Sequence, residues 1–430
     1  MNYINYLFHR LLKIDIIKVF SLNAISTMVR MLAGLISVKI VSIIIGPAGV
    51  ALLGQLHNAS NILLGVANGG IQNGITKYVS EYKEDKHAIR GILSNALRIT
   101  LFFTALVSVS LIVMHNHLSR WIMFSDEYGY VFVVFGFTIL FYTLNILLIS
   151  ILNGFKEFKK YVIVNISGTI IGLLFSVILV LTFGLPGAMI NAVTFQSLVF
   201  FVTLWMCRKC EWFKWDNFKG KYDRLIASKY MRFSLMTLTS LAVVPISQML
   251  LRGYVISQIS ITEAGWWEGM NRISAMYLSI ITTSFSVYYL PRLSEIKDNL
   301  ELHNEIFRCY KVIVPILLTI TLTIYLLRHF IIWLLFTPDF YPMEQFFIWQ
   351  MFGDLFKICS WLLAFLMVAK AMTKAYILTE VLFSLLFVGL GYSFMKLNGT
   401  IGLTQAYLLN YILYMACMLF GFRKIVFIRR

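Results

Sequence analysis

The sequence predicts an all-α integral membrane protein of about twelve transmembrane helices. Three observations carry that expectation. Of 430 residues, 59% are hydrophobic and 13% charged, whereas a soluble domain carries roughly 25% charged residues; mean hydropathy is +0.78. The apolar residues fall in runs of about twenty or more, the length that crosses the hydrocarbon core at about 1.5 Å per residue. They do not alternate over about ten residues, as strands of an outer-membrane barrel do. The basic residues gather in alternate short connections between those runs.

Walking the chain places spans at 19–45, 50–76, 91–114, 129–152, 161–183, 186–207, 233–256, 264–290, 309–328, 343–369, 373–395 and 400–422. The span 264–290 is the most polar at its start, with Glu268 and Arg272. The first apolar run is too long for a signal-peptide core and is followed by no evident cleavage site, so it is read as an uncleaved span. Alternate connections then carry most of the 37 basic residues, including Arg10, Lys13 and Lys18, then Lys77 to Arg98, then eight between 208 and 232. The intervening connections Ile45–Val50 and Phe183–Gly187 carry none. The positive-inside bias therefore places both termini in the cytoplasm. It also accounts for the net charge of +17 without nucleic-acid binding.

An internal repeat is visible. Phe20-Ser21-Leu22 opens the first span and Phe233-Ser234-Leu235 the seventh; Ser80-Glu81 and Ser294-Glu295 close the second and eighth. Trp121 to Phe124 and Trp333 to Phe336 repeat a Trp-x-x-Phe pattern between corresponding spans. The repeat divides the chain into an N-terminal six-helix lobe at 1–207, a basic cytoplasmic linker at 208–232 and a C-terminal six-helix lobe at 233–430. Two such lobes about a cleft are the usual apparatus of alternating access. His329–Phe340, apolar but too short to span, reads as an interfacial helix, and Leu118–Phe124 as its counterpart.

Four stretches give a specific likeness: Gly46-Pro47-Ala48-Gly49, then Asn73 to Val79, Trp267 to Ser274, and Thr283 to Leu293. In these the chain resembles the Wzx lipid-linked oligosaccharide flippases, nearest the enterobacterial type that exports O-antigen or enterobacterial common antigen units. The likeness runs from about Phe20 to the C-terminus, within the multidrug/oligosaccharidyl-lipid/polysaccharide exporter superfamily. It implies two six-helix lobes forming a V-shaped central cavity in the bacterial inner membrane. The implied cargo is an undecaprenyl-pyrophosphate-linked oligosaccharide, moved between leaflets by an ion gradient with proton antiport as the common proposal. The implied surroundings are membrane lipid; a polysaccharide polymerase and a chain-length regulator are open as partners.

A charge inside the bilayer costs about 2.5–3.5 kcal/mol on insertion scales, so it faces a cavity or a partner. Arg30 and Lys39 lie in the first span, Arg252 near the outer end of the seventh, and Lys357 in the tenth. With Arg272 they are five candidate substrate-binding cations, suited to a diphosphate because Arg offers a planar fork and Lys a point charge. Arg30 and Lys39 stand about 180° apart on an ideal helix, so Lys39 either reaches the cleft through a bend near Gly34 or snorkels outward. Asp354, Glu380, Glu268 and His57 are the candidate ion-coupling groups. Glu268 with Arg272 at i,i+4, and Asp354 with Lys357 at i,i+3, are open to a second reading as internal pairs. His57, set in a polar cluster with Gln55, Asn58, Ser60 and Asn61, is open to a second reading as a packed polar residue.

Two other functions compete with lipid-linked glycan flipping. A drug or metabolite antiporter of the same fold is expected to show an anionic rather than a cationic cavity. A membrane polysaccharide polymerase is expected to carry a long periplasmic loop, and none is present. No Gly-rich phosphate loop suggests an ATPase. Cys207 and Cys210 form a lone C-x-x-C without a second pair, and Cys309, Cys359 and Cys417 sit in apolar stretches, so neither metal nor cofactor is expected.

Overall fold

The computed structural model describes residues 2–285, 289–370 and 372–427, without the side chains of 2–25, 232, 233, 235, 236, 284 and 291. The N-terminal basic side chains Arg10, Lys13 and Lys18, the repeat residues Phe20, Ser21, Leu22, Phe233 and Leu235, the motif residues 286–288, and Arg429 and Arg430 lie outside the described residues.

The long helices are α1 (Asn2–Ala67), α3 (Lys86–Val113), α5 (Gly129–Gly154), α6 (Phe158–Cys207), α7 (Arg224–Gln258), α8 (Ile261–Ser284), α10 (Asn299–Leu326), α12 (Phe347–Ala369), α13 (Thr373–Asn398) and α14 (Ile401–Gly421). Shorter ones are α2 (Gln72–Tyr82), α4 (His115–Leu118), α9 (Leu290–Glu295), α11 (Arg328–Leu335) and α15 (Arg423–Val426). Side-chain caps start several of them. Asp85 accepts from the His87 and Ala88 amides at α3, Asp298 from Leu300 and Glu301 at α10, and Ser260 from Thr262 at α8. Each such cap contributes about 1 kcal/mol.

Nine stretches among the described residues are long and apolar enough to cross a membrane. Two of them, Ser26–Ala67 with 42 residues and Phe158–Cys207 with 50, measure about 63 and 75 Å as helix, twice the hydrocarbon thickness of about 30 Å. Each is broken once, at Gly46 (φ 63°) and Gly184 (φ 60°). Pro47 and Pro186 follow closely. Glycine tolerates the positive φ, and proline removes the amide that would continue the ladder. These breaks fall in the two connections that lack basic residues.

Helix α8 covers most of the expected span 264–290 but is not among the nine. Glu263, Glu268 and Arg272 interrupt its apolar run. The segment read as the interfacial helix His329–Phe340 is two elements, α11 and a 3₁₀ stretch Pro338–Phe346; Pro338 and Pro342 remove amides that an α-helix needs. Its counterpart Leu118–Phe124 is the end of α4 followed by a π-helical turn Ser119–Met123. Trp121 and Trp333, the repeated tryptophans, are both exposed.

The chain forms two compact units. The first comprises Met1–Ile44 and Ser60–Leu238, the second Ile45–Ala59 and Thr239–Arg430. In the first, Ile75, Leu93, Ile151, Leu152, Val164 and Cys207 form a buried apolar core. A polar ladder crosses it: Thr203 donates to Asn145 at 2.6 Å, and Asn145 to Gln196 at 2.9 Å. In the second, α12 packs on α14 and α10, and Phe340, Met343, Phe346 and Phe347 are fully buried. Large apolar side chains such as Phe102, Leu181, Leu318 and Leu385 point outward and stay exposed. That surface suits lipid rather than water.

Candidate functional site

The second unit concentrates ionisable groups in its interior. Gly54 and Gly265 let the segment Ile45–Ala59 approach α7 and α8. A Cβ on Gly265 would stand 1.9 Å from the Pro47 carbonyl oxygen, and one on Gly54 2.6 Å from the Glu268 carboxylate carbon. Gln55 then donates to the Met249 carbonyl at 3.2 Å, and Asn58 to Gln248 at 3.2 Å.

Around this contact lies a buried cluster. Arg252 is 1% exposed. Its Nη2 donates to Glu268 Oε2 at 2.5 Å and its Nη1 to Gln55 Oε1 at 3.1 Å. Its guanidinium lies 5.4 Å from the Trp267 ring centre. Arg272 Nε donates to the other oxygen of Glu268 at 3.0 Å. Two cations thus share one carboxylate, and the cluster keeps a positive excess. The i,i+4 pair read from the sequence is present, extended by Arg252 from α7. His57 is exposed but lies in the electrostatic range of Arg272, Glu268 and Arg252.

Asp354 is fully buried, and its neighbours are hydroxyls. Ser274 and Tyr277 donate to Oδ2. Tyr407 donates to Oδ1 at 2.7 Å and Gln350 at 3.3 Å. A buried carboxylate held by donors on both oxygens meets its desolvation cost without a cation. Asp354 and Lys357, at i,i+3, stay within electrostatic range of each other, but among the described residues no direct salt bridge joins them. The long stem of Lys357 turns the ammonium toward three rings instead: Trp361 at 5.1 Å, Tyr411 at 5.5 Å and Tyr407 at 5.6 Å from their centres. Ammonium over an aromatic face is attracted by the ring quadrupole, by up to about 2 kcal/mol when desolvated.

Those rings line a cavity of about 420 Å³. Glu380 borders it, as do Gln248, Ser247, Asn410 and Tyr414. The Asn410 side-chain oxygen is buried and has no hydrogen-bond partner. The cavity therefore offers one ammonium, one carboxylate, amides, hydroxyls and flat aromatic faces. Chemically it can hold a polar, ring-bearing ligand that stacks and hydrogen-bonds at once.

The remaining candidates, Arg30 and Lys39, belong to the first unit. Arg30 is exposed and Lys39 half-buried. Among the described residues, no group of three or more His, Cys, Asp or Glu could hold a metal ion. Cys207 and Cys210 are free thiols, and Lys160 donates to Cys210 at 3.2 Å. The sequence reading missed Ser274, Tyr277, Gln350, Trp361, Tyr407, Tyr411 and Asn410. A signal was available: Gln350, Asp354, Lys357 and Trp361 recur at three- and four-residue steps on α12, and Tyr407, Tyr411 and Tyr414 do so on α14.

Long apolar helices in two units, with an ionic and hydroxyl network kept inside, define a multi-pass α-helical membrane protein with a transporter fold. The fold is shared with a multidrug resistance MATE family transporter of the MOP superfamily in an inward-facing conformation (TM-score 0.75, 14% identity, 93% of this chain and 98% of that one). It is also shared with the lipid II flippase MurJ, inward closed (TM-score 0.69, 16% identity, 96% and 90%). The chain belongs to the polysaccharide biosynthesis protein family, which it matches over residues 16–297. Among curated relatives it is 29% identical to the lipid III flippase of Escherichia coli (strain K12), over 91% of this chain and 94% of that protein.

Proposed function

We propose that the protein is a flippase of the bacterial inner membrane. It carries an undecaprenyl-pyrophosphate-linked oligosaccharide, an O-antigen or related repeat unit, from the cytoplasmic to the periplasmic leaflet. It works by alternating access between two six-helix lobes, at 1–207 and 233–430, joined by the linker 208–232, with twelve crossings and both termini cytoplasmic. The relation to a lipid III flippase along nearly the whole chain supports the cargo class.

The observation that carries the reading is the composition of the second unit's interior. Arg252 and Arg272 share Glu268, and Lys357 stands among rings at a polar cavity. Cationic groups suit a diphosphate, and aromatic faces with amides and hydroxyls suit a glycan. Arg252, Arg272 and Lys357, with Arg30 and Lys39 of the first unit, are the proposed cargo-binding cations. Asp354, Glu380, Glu268 and His57 are the proposed coupling groups for an ion gradient. A carboxylate that gains a proton loses its charge and its acceptor capacity, which changes the contacts it holds.

The test is deletion with complementation. Cells lacking the protein accumulate lipid-linked oligosaccharide facing the cytoplasm, and the wild-type gene clears it. Absence of accumulation sinks the proposal. The MATE-like fold supports a second reading, drug or metabolite antiport. Under that reading the deletion sensitises cells to cationic dyes and leaves the lipid-linked glycan pool unchanged.

A further inference from the structure

The first unit holds a second polar cavity, of about 910 Å³, far richer in cations. Arg90, Lys219, Lys221, Arg224 and Lys229 line it, together with His87 and three tyrosines. All five Lys and Arg are exposed, and among the described residues none forms an ion pair with a carboxylate. The lone acidic lining residue is Asp223. One of its carboxylate oxygens is engaged by the Leu225 and Ile226 amides, at 2.7 and 3.3 Å.

Membrane topology accounts for basic residues on this stretch of chain. It does not account for their convergence on one concavity, which raises their mutual repulsion. The wall is also built rather than loose. The Gly220 carbonyl accepts from Ser94 and from Arg98, both at 2.8 Å, and the Asp223 amide donates to Asn95 at 3.2 Å. A Cβ on Gly220 would come within 2.9 Å of the Arg90 carbonyl oxygen, so only glycine permits this approach. The Tyr230 hydroxyl donates to the Ile92 carbonyl at 3.3 Å. The linker is thereby fixed onto α3, at the end where its apolar run begins. Lys229 is held 5.8 Å from the ring centres of both Tyr78 and Tyr82.

The geometry points to an anion site for a phosphate group at the membrane surface, formed by Arg90, Lys219, Lys221, Arg224 and Lys229. Two guanidiniums offer planar forks that match phosphate oxygens, and three ammoniums supply charge without a fixed geometry. Tyrosine hydroxyls add neutral donors. Basic pockets at the ends of membrane helices take anionic lipid headgroups in this manner. The same chemistry accepts a free phosphate or pyrophosphate. The site lies wholly within the first unit and does not depend on the flipping function.

The full-length protein in nanodiscs separates these sources. One arm measures retention of phosphatidylglycerol against diacylglycerol, which lacks phosphate, by native mass spectrometry. The other titrates pyrophosphate into the same sample by calorimetry. The variant Arg90→Gln/Lys221→Gln/Arg224→Gln is expected to weaken phosphatidylglycerol binding roughly a hundredfold, at about 1 kcal/mol per surface cation. Arg208→Gln/Lys209→Gln, whose cations lie over Trp205 outside the cavity, is the control expected to bind as wild type. Single Lys221→Gln is expected to lose roughly fivefold and serves if the triple variant fails to fold. Wild-type binding is expected to weaken as salt rises, because exposed charges are screened beyond about 10 Å at 0.1 M. A triple-sensitive pyrophosphate response without lipid retention assigns the site to a free phosphate. Equal binding of both probes by wild type, the Lys221 variant and the triple variant overturns the proposal and leaves the flipping reading untouched.

Discussion

Arg252 Nη2 stands 2.5 Å from Glu268 Oε2, with the arginine 1% exposed. The contact joins α7 to α8, and through Gln55 it also holds the segment Ile45–Ala59. Removing one member of such a pair costs more than removing both, because the survivor keeps its charge in a dry interior. Glu268→Gln leaves two guanidiniums facing each other and is expected to destabilise by about 3–5 kcal/mol. Arg252→Met alone still leaves Arg272 to balance Glu268, so it is expected to cost less. Thermal unfolding of the purified protein in detergent, arranged as a double-mutant cycle, checks the order. Additive losses would remove the coupling.

Gly54 faces the Glu268 carboxylate so closely that a methyl group stands 2.6 Å from its carbon. Gly54→Ala is expected to displace the carboxylate and cost about 1–3 kcal/mol. Gly389 in α13 has no atom within 4 Å of a built Cβ. Gly389→Ala is expected to stabilise by about 0.5–1 kcal/mol through the unfolded chain. The opposite signs are read from the two melting temperatures.

Tyr407 serves two groups, donating its hydroxyl to Asp354 at 2.7 Å and presenting its ring to Lys357. Tyr407→Phe keeps the ring and removes one donor from a buried carboxylate, an expected loss of about 1.5–3 kcal/mol. Tyr411→Phe keeps the ring beside Lys357 and is expected within about 0.5 kcal/mol of wild type. In the complementation assay, Lys357→Ala is expected to cut rescue at least about tenfold, the equivalent of 1.4 kcal/mol. Full rescue by Lys357→Ala takes this residue out of the cargo path.

Cys210 lies beyond the end of α6, buried and bonded to the Lys160 ammonium. Burial raises its thiol above the ordinary value, and the Lys160 hydrogen bond only partly opposes the rise. The thiolate is therefore scarcer at neutral pH than for a free cysteine. Alkylation of a protein retaining Cys210 as its single cysteine is expected to be slow at pH 7 and to keep rising above pH about 8.5, where a free thiol levels off. Stability from the neutral thiol is present below the unfolded value and is lost as pH rises through the folded one. Alkylation at pH 7 as fast as that of a free thiol would contradict this.

The ends of the helices were legible where punctuation is local. Gly46-Pro47 and Gly184 with Pro186 break α1 and α6 at the connections read as 45–50 and 183–187. The pairing of Glu268 with Arg272 was legible too, because i,i+4 neighbours meet on any helix. For Asp354 and Lys357 the same rule gave the shared face and left open whether the two pair directly. Adjacency on a helix brings two Cβ atoms together, but a long side chain turns to whatever the neighbouring helices present. Here those are the hydroxyls of Tyr277 and Tyr407 for one, and aromatic rings for the other.

Hydropathy and loop charge by themselves determined a helical membrane protein with ionisable groups in its apolar runs, since both are sums over neighbouring residues. Only the tertiary structure decided which of those groups meet. Arg252 reaches Gln55 across 197 positions, and Asp354 draws its three hydroxyl donors from 80, 77 and 53 positions away. Such contacts depend on how helices pack, and no periodicity along one helix encodes that. The basic segment 208–232 shows the same division. Its charge is plain in the sequence, but its seat on α3 comes from Ser94, Asn95 and Arg98 capturing Gly220 and Asp223.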